Sequence, residues 1–213
     1  MPAGRFITFE GTEGGGKSTQ IALLAERLGP LSQPVRVLRE PGSTPIGEEI
    51  RHTLKHSGQN QAMAPEAELL LMNASRAQLV REVIRPALAA GEIILCDRFY
   101  DSTIAYQGYG RGLDLKLVQS VIDFAVGETH PHLTLLLHVP IEVSESRRQT
   151  RRSAASPRDR FEESGREFFQ RVEKGFLAIA KAEPDRVKLI DASGPVEKVC
   201  EAIWELVEPL VSR

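Results

Sequence analysis

Apolar and β-branched residues gather in five short runs along the chain, and such runs are typical of buried strands. They are Arg5–Glu10, Val35–Arg39, Glu92–Cys96, Leu133–Val139 and Val187–Asp191. Several runs are apolar at nearly every position, which favours strands that are covered on both faces. Helical patterns lie between the runs and leave room for a crossover between each pair. The pattern therefore predicts an α/β fold with a five-stranded, mostly parallel sheet flanked by helices.

Helical periodicity and capping signals place the helices between these strands. The predicted helices span 18–28, 46–54, 65–90, 115–126, 141–152, 162–182 and 195–210. Thr44 and Asp114 are expected to cap the second and fourth of them. Pro86 predicts a kink or break in the long third helix, and Gly91 predicts its end. We find no repeat and no linker composition, so we expect one domain over residues 1–213.

Composition narrows the classes of function. The 213-residue chain has a formal net charge of −2, so no overall basic field favours nucleic acid. No apolar run reaches the length of a membrane span, and the first strand begins too early for a signal peptide to precede it. Cys96 and Cys200 are far apart in sequence and fit a reduced protein better than a disulfide. We therefore expect a cytoplasmic protein without a nucleic-acid or membrane partner.

The turn after the first predicted strand matches the phosphate-binding pattern G-x-x-x-x-G-K-[ST] at residues 11–18. In this pattern backbone N–H groups surround an anion, Lys17 reaches the β- and γ-phosphates, and the Ser18 hydroxyl binds Mg²⁺. A strand before the turn and an amphipathic helix after it make a chance match the weaker interpretation. The predicted ATP-binding residues are Gly11, Thr12, Glu13, Gly14, Gly15, Gly16, Lys17, Ser18 and Thr19.

Arginines supply a second signal. Four of them lie near strand ends or on helices beside the carboxyl edge of the sheet, namely Arg39, Arg51, Arg76 and Arg98. Ligands bind at that edge in open α/β sheets, so a second anionic substrate would explain them. Each could instead be an ordinary surface ion-pair partner. Residues 147–160 contain six arginines and predict either a solvated loop or, beside a phosphate loop, a lid that carries positive charge.

The phosphate loop does not by itself choose among kinases, motor ATPases and GTP switches. The Asn-Lys-x-Asp sequence expected of GTP switches is missing from the chain. Four stretches resemble the thymidylate kinase family: FEGTEGGGKST at 9–19, REPGSTP at 39–45, DRF with STIAYQG within 97–108, and DRFE at 159–162. The resemblance runs from the first strand to the last helix and implies the P-loop NTPase fold with an arginine-rich lid at about 147–160.

The resemblance implies transfer of the γ-phosphoryl group of ATP to the 5′-phosphate of dTMP, with Mg²⁺ as cofactor, and a homodimer as the assembly. The acceptor phosphate is largely ionised at pH 7, because the second pKa of a phosphate monoester is about 6. No general base is needed, and catalysis comes from alignment and charge neutralisation. The alternatives are another (deoxy)nucleoside monophosphate kinase on the same scaffold, or a non-catalytic ATP-binding module.

The resemblance also implies individual roles. Arg98 is expected at the acceptor phosphate or between the two nucleotides, and Arg51 as a second phosphate clamp. Glu13 is expected near the sugar hydroxyl, and Asp97 either supports Mg²⁺ with Ser18 or serves as a capping carboxylate. The remaining expected substrate contacts are Arg39, Pro41, Met72, Arg76, Thr103, Tyr106 and Gln107. Among these, Arg76 is expected to bind the thymine carbonyl and Tyr106 to crowd the sugar 2′ position.

Two positions depart from parts of the family. Gly14 stands where one branch has a catalytic arginine, whereas the bacterial branch uses lid arginines. The basic segment agrees with the bacterial branch, so the catalytic donor is expected among Arg148, Arg152 and Arg158. Met72 stands where a phenylalanine commonly stacks on thymine, and its sulfur can still pack against a ring.

Overall fold

A parallel sheet forms the centre of the structure, a computed structural model that describes residues 3–31, 33–58, 60–150 and 165–212, with the backbone alone at 61 and 148–150. Its strands are β1 (Arg5–Glu10), β2 (Val35–Arg39), β3 (Ile93–Asp97), β4 (Leu133–His138) and β5 (Val187–Asp191). Their order is β2-β3-β1-β4-β5, and every pair of neighbours is parallel. The predicted α/β class and sheet are confirmed, and the sheet is parallel throughout the part described.

The strand order creates a crevice at the carboxyl end of β1. The chain leaves β1 towards β2 on one side, and it leaves β3 towards β4 on the other side. Such a switch point is where open α/β sheets bind ligands. Phe9 of β1 lies opposite Asp97 of β3. The turns that follow these two strands therefore emerge side by side.

Nine α-helices occur in the described ranges, and two of them begin at the predicted caps. They are α1 (Lys17–Leu28), α2 (Pro45–Lys55), α3 (Pro65–Leu79), α4 (Arg85–Ala89), α5 (Tyr100–Thr103), α6 (Leu115–Val126), α7 (Ile141–Thr150), α8 (Arg166–Ala182) and α9 (Val196–Val211). The Thr44 hydroxyl accepts the Gly47 N–H, and the Asp114 carboxylate accepts the N–H groups of Lys116 and Leu117. The last two predicted helices start at Arg166 and Val196.

Apolar residues on the two faces of the sheet explain how the helices pack. Ile7 and Phe9 point to one face and pack with α1 and α9. Phe6 and Ile94 point to the other face and pack with α3 and α6. Leu136 joins a third cluster with α8. Burial of each such side chain stabilises the fold by about 1.5–3 kcal/mol. Because successive side chains of β1 point to opposite faces, this strand packs against the helices on both sides of the sheet.

The long helix predicted over 65–90 is divided in the structure. A π-helical segment, Val80–Ile84, separates α3 from α4, and the Arg85 N–H donates to the Val80 carbonyl five residues earlier. The predicted disturbance therefore lies just before Pro86. Proline has no N–H, and its ring collides with the carbonyl four residues back in a regular helix. The wider turn accommodates both effects, and Gly91 then ends the segment at φ +81°.

The segment Tyr100–Gly110 is helical, which the sequence did not predict. It comprises α5 and a π-helical segment, Ile104–Gly110, in which the Arg111 N–H donates to the Tyr106 carbonyl. Helix α8 packs directly on this segment, because a Cβ added to Gly110 would lie 2.7 Å from the Phe168 ring. Tertiary contact therefore supports a sequence whose glycines and β-branched residues disfavour helix.

None of the helices in the described ranges is long and apolar enough to cross a membrane.

Candidate active site

The phosphate loop connects β1 to α1 at the switch point. Gly16 precedes α1 at φ +87°, and the helix has no side-chain cap hydrogen bond. The first N–H groups of a helix lack partners within the helix, so this N-terminus is suited to an anion. At Gly11, with φ +127°, an added Cβ would lie 2.3 Å from the Leu137 carbonyl oxygen. The loop thus needs glycine there to pass close to β4.

Lys17 lies folded across the loop. Its Nζ donates to the carbonyl oxygens of Gly11 at 3.1 Å and Thr12 at 3.0 Å, and the residue is 7% exposed. Burial lowers the pKa of Lys17 from 10.5 to about 8, and the positive charge of Arg98 acts in the same direction. A phosphate beside this ammonium group would restore its positive charge. The structure therefore places the Lys17 ammonium group against the backbone of the phosphate loop.

Oxygen atoms suited to Mg²⁺ lie next to the loop. The Ser18 hydroxyl is 3.4 Å from Asp97 Oδ2, while Asp97 Oδ1 and Glu13 Oε2 are buried and have no hydrogen-bond partner among the described residues. The described ranges contain no cluster of three or more His, Cys, Asp or Glu residues able to hold a metal. Mg²⁺ commonly uses only one or two carboxylates besides waters and phosphates, so this oxygen set fits it.

Arg98 follows Asp97 and turns back over the phosphate loop. Its Nη1 donates to the Gly11 carbonyl at 3.0 Å and to Ser102 Oγ at 2.9 Å, and its Nη2 donates to the Tyr106 hydroxyl at 3.2 Å. Its backbone is at φ +69°, in the left-handed region. Non-glycine residues hold this conformation only where the surroundings enforce it, often at functional sites. The structure brings the Arg98 guanidinium group into contact with the phosphate loop.

Sequence reasoning missed Glu10, the last residue of β1. Its side chain is fully buried and accepts hydrogen bonds from Phe99 N, Ser102 N and Ser102 Oγ. Burial raises the pKa of Glu10 from 4.5 to about 7, and the nearby Asp101 carboxylate contributes in the same direction. The signal available in the sequence was a charged residue at the end of an apolar strand.

Arg39 and Arg51 lie around the turn that follows β2. Arg39 Nη2 pairs with both oxygens of Glu48 at 2.8 and 2.9 Å and is partly exposed. Arg51 Nη1 donates to the Pro41 carbonyl at 2.9 Å. The Arg39 contact is the surface ion pair that the sequence left open as the alternative. Arg39 nevertheless stands at the carboxyl edge of the sheet, because it is paired with Asp97 in the register. The hydrogen bond to the Pro41 carbonyl holds Arg51 beside the turn that follows β2.

Arg76 is only 2% exposed and has partners on every side. Its Nε and Nη2 contact Glu40 Oε2 at 2.9 and 2.8 Å, its Nη1 donates to Asn73 Oδ1, and its Nη2 also donates to the Phe99 carbonyl. Glu40 Oε1 is buried without a hydrogen-bond partner in the described structure. Arg76 thus ties α3 to the turns after β2 and β3, a structural role that the sequence did not reveal.

The other predicted substrate contacts line the segment Tyr100–Gly110 and the adjacent face of α3. Thr103 and Gln107 are buried, and Tyr106 packs in the α8 cluster, against which Met72 also lies. Gln107 Nε2 donates to Glu68 Oε1 at 2.7 Å. Glu68 in turn accepts two N–H groups of Arg111. The amide of Gln107 therefore has a fixed orientation, because a carboxylate accepts hydrogen bonds only.

Helix α7 is attached to the phosphate loop. Ser144 Oγ donates to the Glu13 carbonyl at 2.6 Å, and Arg147 Nη1 donates to the carbonyls of Gly14 at 3.4 Å and Ala192 at 3.1 Å. Arg147, counted in the predicted lid, is therefore on a helix and bound to main-chain oxygens. The side chain of Arg148 and all of Arg152 and Arg158 lie outside the described residues, as does most of the 147–160 segment.

A glycine loop between a central parallel strand and a helix, with a carboxylate at the end of the adjacent strand, defines a P-loop nucleotide-binding protein. Comparison with known proteins narrows this class. The family model described as "Thymidylate kinase" matches residues 9–203. The chain belongs to the thymidylate kinase family.

Individual relatives agree with this assignment. The chain is 49% identical over 201 residues to a thymidylate kinase of Syntrophotalea carbinolica, with 93% of each chain covered. It is 49% identical over 210 residues to that of Pseudomonas fluorescens strain SBW25, with 99% of this chain and 98% of the relative covered. The solved thymidylate kinase structure from Ehrlichia chaffeensis has a TM-score of 0.79 and 33% identity, covering 97% of this chain and all of the other.

Proposed function

We propose that this chain transfers the γ-phosphoryl group of ATP to the 5′-phosphate of dTMP, giving dTDP and ADP. Family membership supports the reaction. The observation that carries its placement is the contact of 3.0 Å between Arg98 Nη1 and the Gly11 carbonyl. A guanidinium group thereby stands directly beside the loop suited to the triphosphate. Donor and acceptor phosphates can meet there without any rearrangement of the sheet.

On the donor side, the backbone N–H groups of residues 11–19 surround the ATP phosphates. Lys17 leaves the carbonyls of Gly11 and Thr12 and binds the β- and γ-phosphates. Ser18 and Asp97 are the residues that would hold Mg²⁺, which supplies neutralisation of the phosphate charge. Asp97 Oδ1 is buried and has no hydrogen-bond partner among the described residues, so it would be available for this role.

On the acceptor side, the phosphate of dTMP binds Arg98, with Arg51 as a second clamp beside Arg39 and Pro41. A phosphate monoester whose second pKa is about 6 is already a nucleophile at pH 7. Removal of a proton by a side chain is therefore unnecessary. The contribution of the protein is to hold two polyanions in line and to neutralise them.

The base and sugar of dTMP occupy the space between α3 and the segment Tyr100–Gly110. Following the family resemblance, we assign the thymine carbonyl to Arg76 and the ring contact to Met72. Thr103 and Gln107 line the base pocket. Tyr106 fills the space at the sugar 2′ position, and the Glu13 carboxylate lies near the sugar hydroxyl.

The transferred phosphoryl group needs a further positive charge in the transition state. We assign it to Arg148, Arg152 or Arg158 in the basic segment 147–160. Gly14 supplies no side chain, and the space above it is filled, because an added Cβ would lie 2.9 Å from the Ser144 carbonyl oxygen. This supports a donor that comes from outside the phosphate loop.

We also propose a homodimer formed through α6 and α3. Phe124 is 84% exposed, Leu117 lies seven residues earlier on the same face of α6, and Leu70 is exposed on the adjacent α3. Helices α3 and α6 pack side by side, and we assign these side chains to one surface. A second copy of this chain is the occupant that the family resemblance implies.

The reaction is tested by coupled ADP formation with dTMP, dUMP, dCMP and dGMP as acceptors, at saturating ATP and Mg²⁺. We expect turnover with dTMP to exceed that with each of the others by at least about tenfold in kcat/KM. Equal turnover with several monophosphates would assign the chain to a broader nucleoside monophosphate kinase. ATP binding without turnover of any acceptor would identify a binding module instead.

A further inference from the structure

The Glu10 carboxylate organises the turn from which Arg98 projects. Its Oε1 accepts the backbone N–H groups of Phe99 at 2.7 Å and Ser102 at 3.2 Å, while its Oε2 accepts the Ser102 hydroxyl at 2.6 Å. Three donors of one turn thus converge on a single fully buried side chain. Carboxylate hydrogen bonds of this kind are among the stronger ones in proteins.

Ser102 transmits this constraint to the Arg98 guanidinium. A serine hydroxyl has one hydrogen to donate and two lone pairs that accept. Because its hydrogen is directed at Glu10 Oε2, its lone pairs are left for Arg98 Nη1, which donates to it at 2.9 Å. The orientation of the hydroxyl, and with it the position of Nη1, follows from the presence of the carboxylate.

The backbone of Arg98 is also held by the end of β1. The left-handed conformation costs a non-glycine residue about 1–2 kcal/mol. The Arg98 N–H donates to the Phe9 carbonyl at 2.9 Å, and the next N–H, of Phe99, donates to Glu10. Consecutive residues of β1 therefore fix consecutive residues of the turn, which offsets this cost.

We propose that Glu10 is a positioning residue for acceptor-phosphate binding: it holds Arg98 at the phosphate loop through Ser102 and the Phe99 N–H. The proposal rests on the function proposed above, in which Arg98 binds the phosphate of dTMP. Glu10 does not touch either nucleotide in this arrangement. Its effect is exerted on the geometry of the guanidinium group that does.

The variants that test this role are Glu10→Gln and Ser102→Ala. In Glu10→Gln the amide carbonyl still accepts the two backbone N–H groups, but the amide NH₂ now donates to Ser102 Oγ. The hydroxyl hydrogen then loses its acceptor, so the orientation of the Ser102 hydroxyl towards Arg98 Nη1 is no longer fixed. Ser102→Ala removes the relay and leaves Glu10 in place. Thr8→Val is the matched control, since Thr8 is a fully buried polar residue on the same strand and face and its hydroxyl bonds the Thr134 hydroxyl.

We expect each test variant to raise KM for dTMP by about tenfold and to leave KM for ATP within about twofold of wild type. The double variant should be no worse than the more affected single variant, because both changes interrupt one path. Thr8→Val should lower stability without a change in either KM. A merely structural role for Glu10 would reduce the active fraction and kcat while KM for dTMP stayed constant, and that result would overturn the proposal.

A measurement without substrate separates this proposal from the proposed function. Hydrogen exchange of the Arg98 guanidinium, followed by NMR and assigned by the loss of its signal in Arg98→Lys, should be at least about tenfold faster in Glu10→Gln than in wild type or Thr8→Val. Unchanged exchange would contradict positioning even if dTMP is the substrate. Wild-type protein that shows protected Arg98 but no dTMP turnover would contradict the function alone.

Discussion

The Ser144 hydroxyl donates a hydrogen bond of 2.6 Å to the backbone carbonyl of Glu13. This contact joins α7, the helix that leads into the basic segment, to the loop suited to ATP phosphates. Gly14 lies under the same helix, with Ser144 and Arg147 as its nearest neighbours. The conformation of the loop therefore depends on a helix that is more than a hundred residues away in sequence.

Substitution of Gly14 by alanine tests this dependence. We expect Gly14→Ala to lower the free energy of unfolding by about 1–3 kcal/mol, because the residue is at φ +81° and the new Cβ would lie 2.9 Å from the Ser144 carbonyl oxygen. Denaturant unfolding without nucleotide measures this. Gly16→Ala, at φ +87° but with no atom within 4 Å of its Cβ, is the control for backbone strain alone. Equal losses in the two variants would show that the contact with α7 is unimportant.

Loss of the Lys17 ammonium group should affect catalysis more than folding. Its hydrogen bonds in the absence of nucleotide go to two loop carbonyls, which can turn to water when the side chain is shortened. We expect Lys17→Met to reduce kcat with dTMP by about 10²–10³-fold while the unfolding midpoint changes little. Lys181→Met, on the exposed side of α8, should retain wild-type turnover. Near-normal activity of Lys17→Met would remove Lys17 from the phosphate site.

His132 gives stability a dependence on pH. Its Nδ1 accepts the Phe6 N–H at 2.9 Å, and burial together with the positive charge of Arg5 lowers the pKa of His132 below its ordinary 6.5. The unfolded chain therefore binds a proton at His132 more readily than the folded protein does. Stability is fully retained above pH 6.5 and declines as the pH falls through that value towards the folded pKa.

We expect His132→Asn, whose amide oxygen can accept the same N–H, to lose the part of this decline that is due to His132. Urea unfolding of wild type and variant at pH 5, 6, 7 and 8 gives the comparison. His56→Asn, at an exposed position on the end of α2, should follow the wild-type profile. A difference between wild type and His132→Asn that is constant with pH would refute this assignment.

The proposed dimer predicts a charge-sensitive surface on α6. We expect Phe124→Lys to raise the dimer dissociation constant by at least about tenfold, because the ammonium group would lose its hydration in a buried apolar contact. Sedimentation velocity over a range of concentrations measures the change. Leu189→Lys introduces the same charge at an exposed apolar position on the edge strand β5 and should leave assembly unaltered. A wild-type protein that remains monomeric at high concentration would exclude the interface.

The strands, most helices and the phosphate loop could be predicted because each is encoded locally. Apolar runs, the caps Thr44 and Asp114, and the glycine pattern act over a few residues. The predicted position of Arg98 at the carboxyl edge of the sheet also followed from local information, since parallel strands end at one edge. Residues with long-range partners were harder to interpret. Arg147 reads as part of a basic run, yet its bonds go to Gly14 and to the turn after β5.

The residues around the proposed dTMP site show most clearly what could not be predicted from the sequence. Arg76 was expected at the thymine carbonyl or in a surface ion pair, yet its side chain is buried by Glu40 and other partners from distant elements. Glu68, which sequence reasoning did not single out, is buried against Gln107. The segment Tyr100–Gly110 has glycines and β-branched residues that disfavour helix when taken alone. Its conformation follows from Glu10, from Glu68 and from the rings of α8, none of which lies near it in sequence. Pairings of this kind cannot be read from periodicity.

The close packing of Phe168 against Gly110 limits which substitutions this protein tolerates at residue 110. A methyl group added at Gly110 has no room beside the Phe168 ring. The displaced Phe168 ring would push on Tyr106, which it meets edge-on with 6.0 Å between the ring centroids. A shift of Tyr106 would in turn displace the Arg98 guanidinium group, which donates to the Tyr106 hydroxyl, while the strands of the sheet stay intact. A substitution at Gly110 would thus abolish phosphoryl transfer in a protein whose thermal unfolding still resembles that of wild type.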